Sequence, residues 1–410
     1  MPMYDSIIGE KTAIIFDLGR TYIKCGFAGE PSPRFILSSP FANIDLVKTN
    51  LFETLKELFH RMCYKYDFST NLIVNAKERR VVIVESLMTP THFKQSIAEV
   101  LFMHFEVPSI LFAPSHLAAL FTLGISTALV IDCGYSDAVV LPVYEGYTML
   151  NTWQSAQLGS KYIHAELERQ LRDFAFFTEE GSDVQQRIPP DTQLPEDLIE
   201  DIKVRACFVS PMERSALWNN WLLLTHDGKD LEAVDHIPTP HFATETFSCS
   251  LGGSDGRLMH IPSRLRETAV EGLFHGQDAD NVTIQSLVLE CLLMCPIDCR
   301  RELLANIVCI GGTTMLPGFK ERLNEELKAA LELPRYACLA ALKDAILFHD
   351  PPAKANYTAW LGGAIFGALE SLPLRSLSRA TYLENKVLPD WNVVYDFEAV
   401  ESDVEKKYSR

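Results

Sequence analysis

The chain has 410 residues, 47% apolar and 22% charged, a globular balance in a chain too long for one ordinary core and suited to two lobes. Its formal net charge of −17 argues against a nucleic-acid binder, since phosphate contacts need a basic surface, and suits a basic protein partner. Residues 1–12 are polar with no secretory apolar core, and ten cysteines in that context suit reduced, mostly buried cytosolic thiols.

In chain order, apolar runs predict strands at 12–17, 22–27, 81–85, 109–113, 127–132, 138–143 and 307–310. A helix over 94–105 places Ile97, Val100, Leu101 and Phe105 on one face. A second, over 319–331, does so with Phe319, Leu323, Leu327 and Leu331 after the Pro317-Gly318 break. The most apolar stretch, 107–131, is interrupted by Pro108, Pro114, His116 and Gly124. It reads as strand, loop, helix and strand in a core, not as a membrane span. Residues 179–195 and 218–256 break the rhythm and read as surface loops of a smaller subdomain, and 398–410 as a charged, loose tail. Cys291, Cys295 and Cys299 recur every four residues, but Pro296 interrupts them and no His-rich partner lies nearby. They read as buried thiols, with no metal site.

Two phrases repeat one arrangement 115 residues apart: AIIFDLG, ending at Gly19, and ALVIDCG, ending at Gly134. In each, an apolar strand runs into Asp-x-Gly, and another strand-like run follows. Asp17 or Asp132 can hold a Mg²⁺ hydration shell, while Gly19 or Gly134 lets backbone N–H groups approach phosphate oxygens. Two copies imply a duplicated α/β domain with a nucleotide cleft between its halves, the architecture shared by actin, Hsp70 and the sugar kinases.

Further phrases carry a narrower resemblance. IKCGFAGEPSPR (23–34), LPVYEG (141–146), EDIKVRACFVS (200–210), PIDCRRELLANIVCIGGTTMLPGF (296–319) and AWLGGAIFGAL (359–369) resemble actin, in actin's order. RRVVIVES (79–86), FEVPSILFAPSHLAALFTLGI (105–125), DCGY (132–135) and PPAKANYTAWLGGAIFGALESL (351–372) resemble the actin-related proteins of the ten/eleven type, at the pointed end of dynactin. The resemblance implies an α/β actin-like fold, two lobes around a nucleotide cleft, with subdomain 1 at 1–34, 49–122 and 350–410. It places a reduced subdomain 2 at 35–48, subdomain 3 at 123–157 and 277–349, and subdomain 4 at 158–276.

By the same resemblance, Asp17, Gly19, Lys24, Asp132, Gly134, Lys203, Gly311, Gly312 and Met315 stand at nucleotide-binding positions. Other positions depart. The small-residue turn after Gly19 is Arg20-Thr21-Tyr22; Arg20 either turns to solvent or meets a phosphate. Tyr135-Ser136-Asp137 follows Gly134, Val204 replaces the acidic clamp residue, and Asn356 replaces a basic one. This half-kept clamp allows ATP or ADP, with Mg²⁺ entering only through the nucleotide. Hydrolysis is not expected: Ser115 and Val139 occupy the water-orienting glutamine and assisting histidine positions, and neither can do that work. No residue is assigned a catalytic role.

The resemblance also implies two faces. Phe121, Leu123, Gly124, Ile125, Phe366 and Leu369 would line the barbed-face groove that contacts the filament's actin-related subunit. The loop side is short: only residues 35–48 separate Arg34 from the helix expected near Thr49, too few for a small three-stranded sheet and a protruding loop. A subunit with the groove but not the loop would cap the pointed end in the cytoplasm, offering its exposed face to other pointed-end subunits and serving dynein indirectly. A chromatin-remodelling actin-related subunit and an ATP-dependent kinase or chaperone are the competing readings. The first lacks its insertions and basic import cluster here, and the second lacks intact phosphate hairpins.

Overall fold

The computed structural model describes residues 11–46, 50–64, 75–178, 185–189, 192, 194–226, 243–250, 257–276 and 282–389. Contacts divide the chain into two units, each discontinuous in sequence. The first comprises Met1–Ala128, Leu141–Trp153 and Asp350–Arg410; the second comprises Leu129–Val140 and Gln154–His349.

The first unit begins with β1 (Lys11–Leu18), β2 (Tyr22–Phe27), β3 (Phe35–Ser38), α1 (Phe52–Tyr64) and β4 (Arg79–Glu85). It continues with α2 (Thr91–Glu99), β5 (Ser109–Pro114) and α3 (Ser115–Phe121). β1 and β2 form an antiparallel hairpin that sets Asp17 opposite Lys24. On its other side β1 runs parallel to β4, and β4 to β5. Strands covered on both faces need continuous apolar runs, which Ala13–Phe16 and Val81–Val84 supply. Leu55, Leu58, Phe59 and Met62 of α1 share one helical face and are buried; the Phe59 ring meets Phe16 edge-on at 5.1 Å. The expected start near Thr49 lies outside the described residues. β3 joins the sheet beside β2, and Phe41 follows it into the core.

The helix expected over 94–105 is not uniform. α2 gives way to a wider π-type turn at Val100–His104, where the Phe105 amide reaches back to the Val100 carbonyl at 3.2 Å. The extra residue in that turn buries Phe102 beside Val100, Leu101 and Phe105, more apolar surface than one regular helical face would cover.

β6 (Ala128–Cys133) and β7 (Ala138–Tyr144) follow, and β7 turns into β8 (Tyr147–Thr148) of the first unit. Next in the second unit come β9 (Gln154–Ala156), α4 (Ser160–Phe174), β10 (Phe176–Thr178), β11 (Gln186–Arg187), α5 (Glu196–Ala206) and α6 (Met212–His226). β12 (Phe247–Ser250), β13 (Leu258–Ile261), α7 (Ser263–Thr268), α8 (Ile284–Met294) and α9 (Ile297–Leu304) lead to β14 (Ile307–Ile310), α10 (Phe319–Ala330) and β15 (Phe348–His349). β14 lies parallel to β6, with Ile310 opposite Asp132. The arrangement of the first unit therefore recurs: a hairpin whose first strand ends in aspartate and has a parallel neighbour. A separate four-stranded sheet runs β11-β10-β13-β12.

The stretch 218–256 is not one loop. Its first nine residues complete α6, where Trp218 is buried, and 247–250 form β12. Burying Trp218 favours helix over the loop expected there. The centre of that stretch, part of 179–195 and the tail 398–410 lie outside the described residues. α10 buries Phe319, Leu323 and Leu327, with Leu331 buried just beyond it, as its spacing requires. Its Arg322, also buried, donates to the Ser210 carbonyl and to Glu271 and Glu326.

The chain re-enters the first unit with α11 (Thr358–Gly367), β16 (Leu377–Ser378) and α12 (Arg379–Asn385). Trp360 anchors α11 beneath the sheet by donating Nε1–H to the Ile15 carbonyl at 3.2 Å.

Candidate nucleotide half-sites and an apolar face

In the first unit, β1 delivers Asp17 to the hairpin turn and β2 returns Lys24 directly opposite. The Lys24 ammonium donates to Asp17 Oδ2 at 2.9 Å, with both side chains mostly buried. Gly19 opens the turn after β1. Arg20 does not simply turn to solvent: its Nη1 donates to the Ile44 carbonyl at 3.2 Å, tying the turn to the short segment after β3. Thr21 Oγ1 and Asn356 Oδ1 are buried without a hydrogen-bond partner among the described residues, one hydroxyl and one acceptor-only oxygen.

In the second half-site the side chains pair with one another. β6 ends at Asp132 and Cys133, and the Gly134 N–H donates to the Asp137 carbonyl at 3.0 Å. The Ser160 and Lys161 N–H groups at the start of α4 donate to the Gly134 and Tyr135 carbonyls. Lys203, on α5, donates to Ser160 Oγ at 3.0 Å and to Glu200 Oε2 at 2.6 Å. Ser160 Oγ lies 2.8 Å from Thr313 Oγ1, whose hydroxyl donates to the Gly134 carbonyl at 2.8 Å. Donation therefore runs one way, from Lys203 through Ser160 and Thr313 to the hairpin.

His164 Nε2 lies 2.8 Å from Glu200 and 3.2 Å from Lys203. Nε2 carries the proton and donates to Glu200, because an ionised carboxylate can only accept. Burial alone would raise the Glu200 pKa; the His164 bond and the Lys203 charge outweigh it and hold the carboxyl at about 2. Tyr135 sets its ring edge against His164, centroids 5.8 Å apart, and donates its hydroxyl to Glu196.

Gly311 occupies the left-handed region (φ +93°), where a Cβ would lie 2.2 Å from the Cys133 carbonyl oxygen and 2.8 Å from Asp132 Oδ1. Gly312 faces open space and Met315 is exposed. Sequence reasoning brought Asp132, Gly134, Lys203 and Gly311 forward but missed Glu200, His164, Ser160 and Thr313. The three-residue Glu200–Lys203 spacing on a helix was the one legible signal. In this wall the Lys203 ammonium is paired with Glu200 and Ser160, and the Gly134 N–H with the Asp137 carbonyl.

The positions expected to handle water are closed. In the first unit Ser115 is buried with Oγ 3.2 Å from His116 Nδ1, and burial lowers the His116 pKa to about 4. In the second, Val139 is buried in β7. Among the described residues, no group of three or more His, Cys, Asp or Glu is placed to hold a metal ion. No described helix is long and apolar enough to cross a membrane.

All six groove candidates belong to the first unit, and none is buried. Phe121 ends α3, Phe366 lies on α11, and their ring centroids are 5.5 Å apart. Phe121 is 39% and Leu369 45% exposed; Leu123, Ile125 and Phe366 are half-buried, and Gly124 is exposed with φ +67°. Trp360, Gly363 and Ala364, also on α11, are buried, so that helix presents an apolar residue set outward as well as inward.

Paired Asp-ended hairpins, each with a parallel neighbouring strand, define an actin-like α/β protein. The actin family model matches residues 52–387, and the chain belongs to the actin family. It is similar to Actin-related protein 10 of Dictyostelium discoideum, 27% identical over 93% of this chain and 89% of that one. It is also similar to Actin-like protein 7A of Bos taurus (23% identical, 91% and 81% covered) and of Homo sapiens (24%, 91% and 82%).

Proposed function

We propose that this protein is a structural actin-related subunit that caps the pointed end of the dynactin filament in the cytoplasm. It attaches through the α3–α11 apolar face to the filament's actin-related subunit. Its shortened loop side faces other pointed-end subunits, and through them it supports dynein-driven transport on microtubules. The observation that carries this reading is an asymmetry within the first unit. The aromatic pair Phe121–Phe366 stands exposed or half-exposed, whereas among the described residues of the loop side before α1 there is a single four-residue strand, Phe35–Ser38. Similarity to Actin-related protein 10 supports the assignment to that class, and the seven-segment, four-subdomain division is part of it. The closed environments of Ser115 and Val139 support a subunit that does no ATP chemistry.

Phe366→Asp tests the reading. An aromatic at an interface centre typically contributes about 2 kcal/mol or more, so co-sedimentation with the filament should fall at least tenfold. Circular dichroism must first show an unchanged fold. Substitutions in 35–46 should leave attachment intact and release only proteins on the exposed end; the opposite pattern would reverse the polarity.

A further inference from the structure

We infer that the second unit has replaced a nucleotide with its own side chains, so that this protein folds and holds its shape without ATP or ADP. The inference concerns the nucleotide itself, is separate from the filament reading, and stands if that reading fails.

A nucleotide-binding wall must turn unsatisfied donors toward its ligand. Here most of the donors of α5 and the start of α4 are engaged internally. The Lys203 side chain is only 8% exposed, with one N–H on Ser160 Oγ and another on Glu200. A third has no acceptor on the side where it meets the protonated Nε2 of His164 at 3.2 Å. Three backbone donors beside the turn are committed as well: the N–H groups of Gly134, Ser160 and Lys161 donate to the carbonyls of Asp137, Gly134 and Tyr135.

The charges point the same way. A phosphate brought here would meet the carboxylates of Glu200 and Glu196, and the lysine that could have offset them is already paired. Nor can the network open cheaply. Releasing Lys203 would strand Glu200, a mostly buried carboxylate, with only His164 for company. Tyr135, bridging from the hairpin to Glu196 at the head of α5 while packing against His164, closes the network on the hairpin side. The consequence is functional. The shape of this subunit should not follow the ATP/ADP ratio, and its attachment should not cycle with hydrolysis.

The test uses the full chain, purified without added nucleotide, denatured in acid and assayed for adenine nucleotide by ion-exchange chromatography. A parallel thermal scan is run with and without millimolar MgATP or MgADP. The expected result is no released nucleotide and a melting temperature that moves by less than about 1 °C. A ligand at a hundredfold over its Kd would raise it by roughly 5–10 °C. Lys203→Met and the near-isosteric Glu200→Gln should both lower the melting temperature in nucleotide-free buffer, since the lysine works structurally here. Stoichiometric adenine nucleotide in the wild type, a rise of several degrees with either nucleotide, or a Lys203→Met melt unchanged in its absence would each overturn the inference.

Discussion

Gly362 sits where α11 crosses α3, and a Cβ there would lie 1.7 Å from the Ala118 carbonyl oxygen. An ordinary carbon–oxygen contact is about 3.3–3.6 Å, so Gly362→Ala must drive the two helices apart by roughly 1.5 Å. No side chain can rotate away to absorb this, because the obstacle is backbone. A radial gap of even 0.5–1 Å forfeits about a quarter to a half of each dispersion contact along the seam. Alanine returns about 1 kcal/mol of helix propensity, leaving a net loss of about 2–4 kcal/mol. For a unit of this size that lowers the first calorimetric transition by roughly 5–15 °C. The same displacement separates Phe121, on α3, from Phe366, on α11, so filament attachment should weaken even below the melting range. Gly312→Ala is the control: its Cβ would meet nothing within 4 Å, and its melt should match the wild type. A Gly362→Ala protein melting within about 1 °C of the wild type would refute the packing argument.

The Glu200 carboxyl, lowered from 4.5 to about 2, contributes stability that is fully present above its unfolded value and is lost as pH falls from about 4.5 toward 2. The shift corresponds to at most about 3 kcal/mol; urea titrations of wild type and Glu200→Gln should diverge above pH 4.5 and converge toward pH 2, and parallel curves would refute the network. Phosphate release from MgATP should stay at the buffer background, given the buried environments of Ser115 and Val139; a rate comparable with filament-forming actin would remove this expectation.

Residues near in sequence, or repeating with a period, determined much of this protein by themselves. The Asp-x-Gly phrases, the alternation of strands and helices and the phrase order from 23 to 372 were enough for the actin family, later matched over 52–387. Buried strands must be apolar and hairpin turns need glycine, so these signals survive in the local code. The helical spacing of Phe319, Leu323, Leu327 and Leu331 gave α10 its inward face for the same reason.

What only tertiary structure decided depends on residues brought together across long sequence separations. Arg20 found the Ile44 carbonyl, an acceptor no side-chain pattern marks. Lys203 stands at a nucleotide-binding position by resemblance; the fold pairs it with Glu200 and starts a relay through Ser160 and Thr313 from it, partners that no sequence pattern named. Val100–His104 widened into a π-type turn because three-dimensional packing rewarded burying Phe102. A buried donor must be satisfied by whatever acceptor the fold brings within reach, and a linear sequence does not state which acceptor that is.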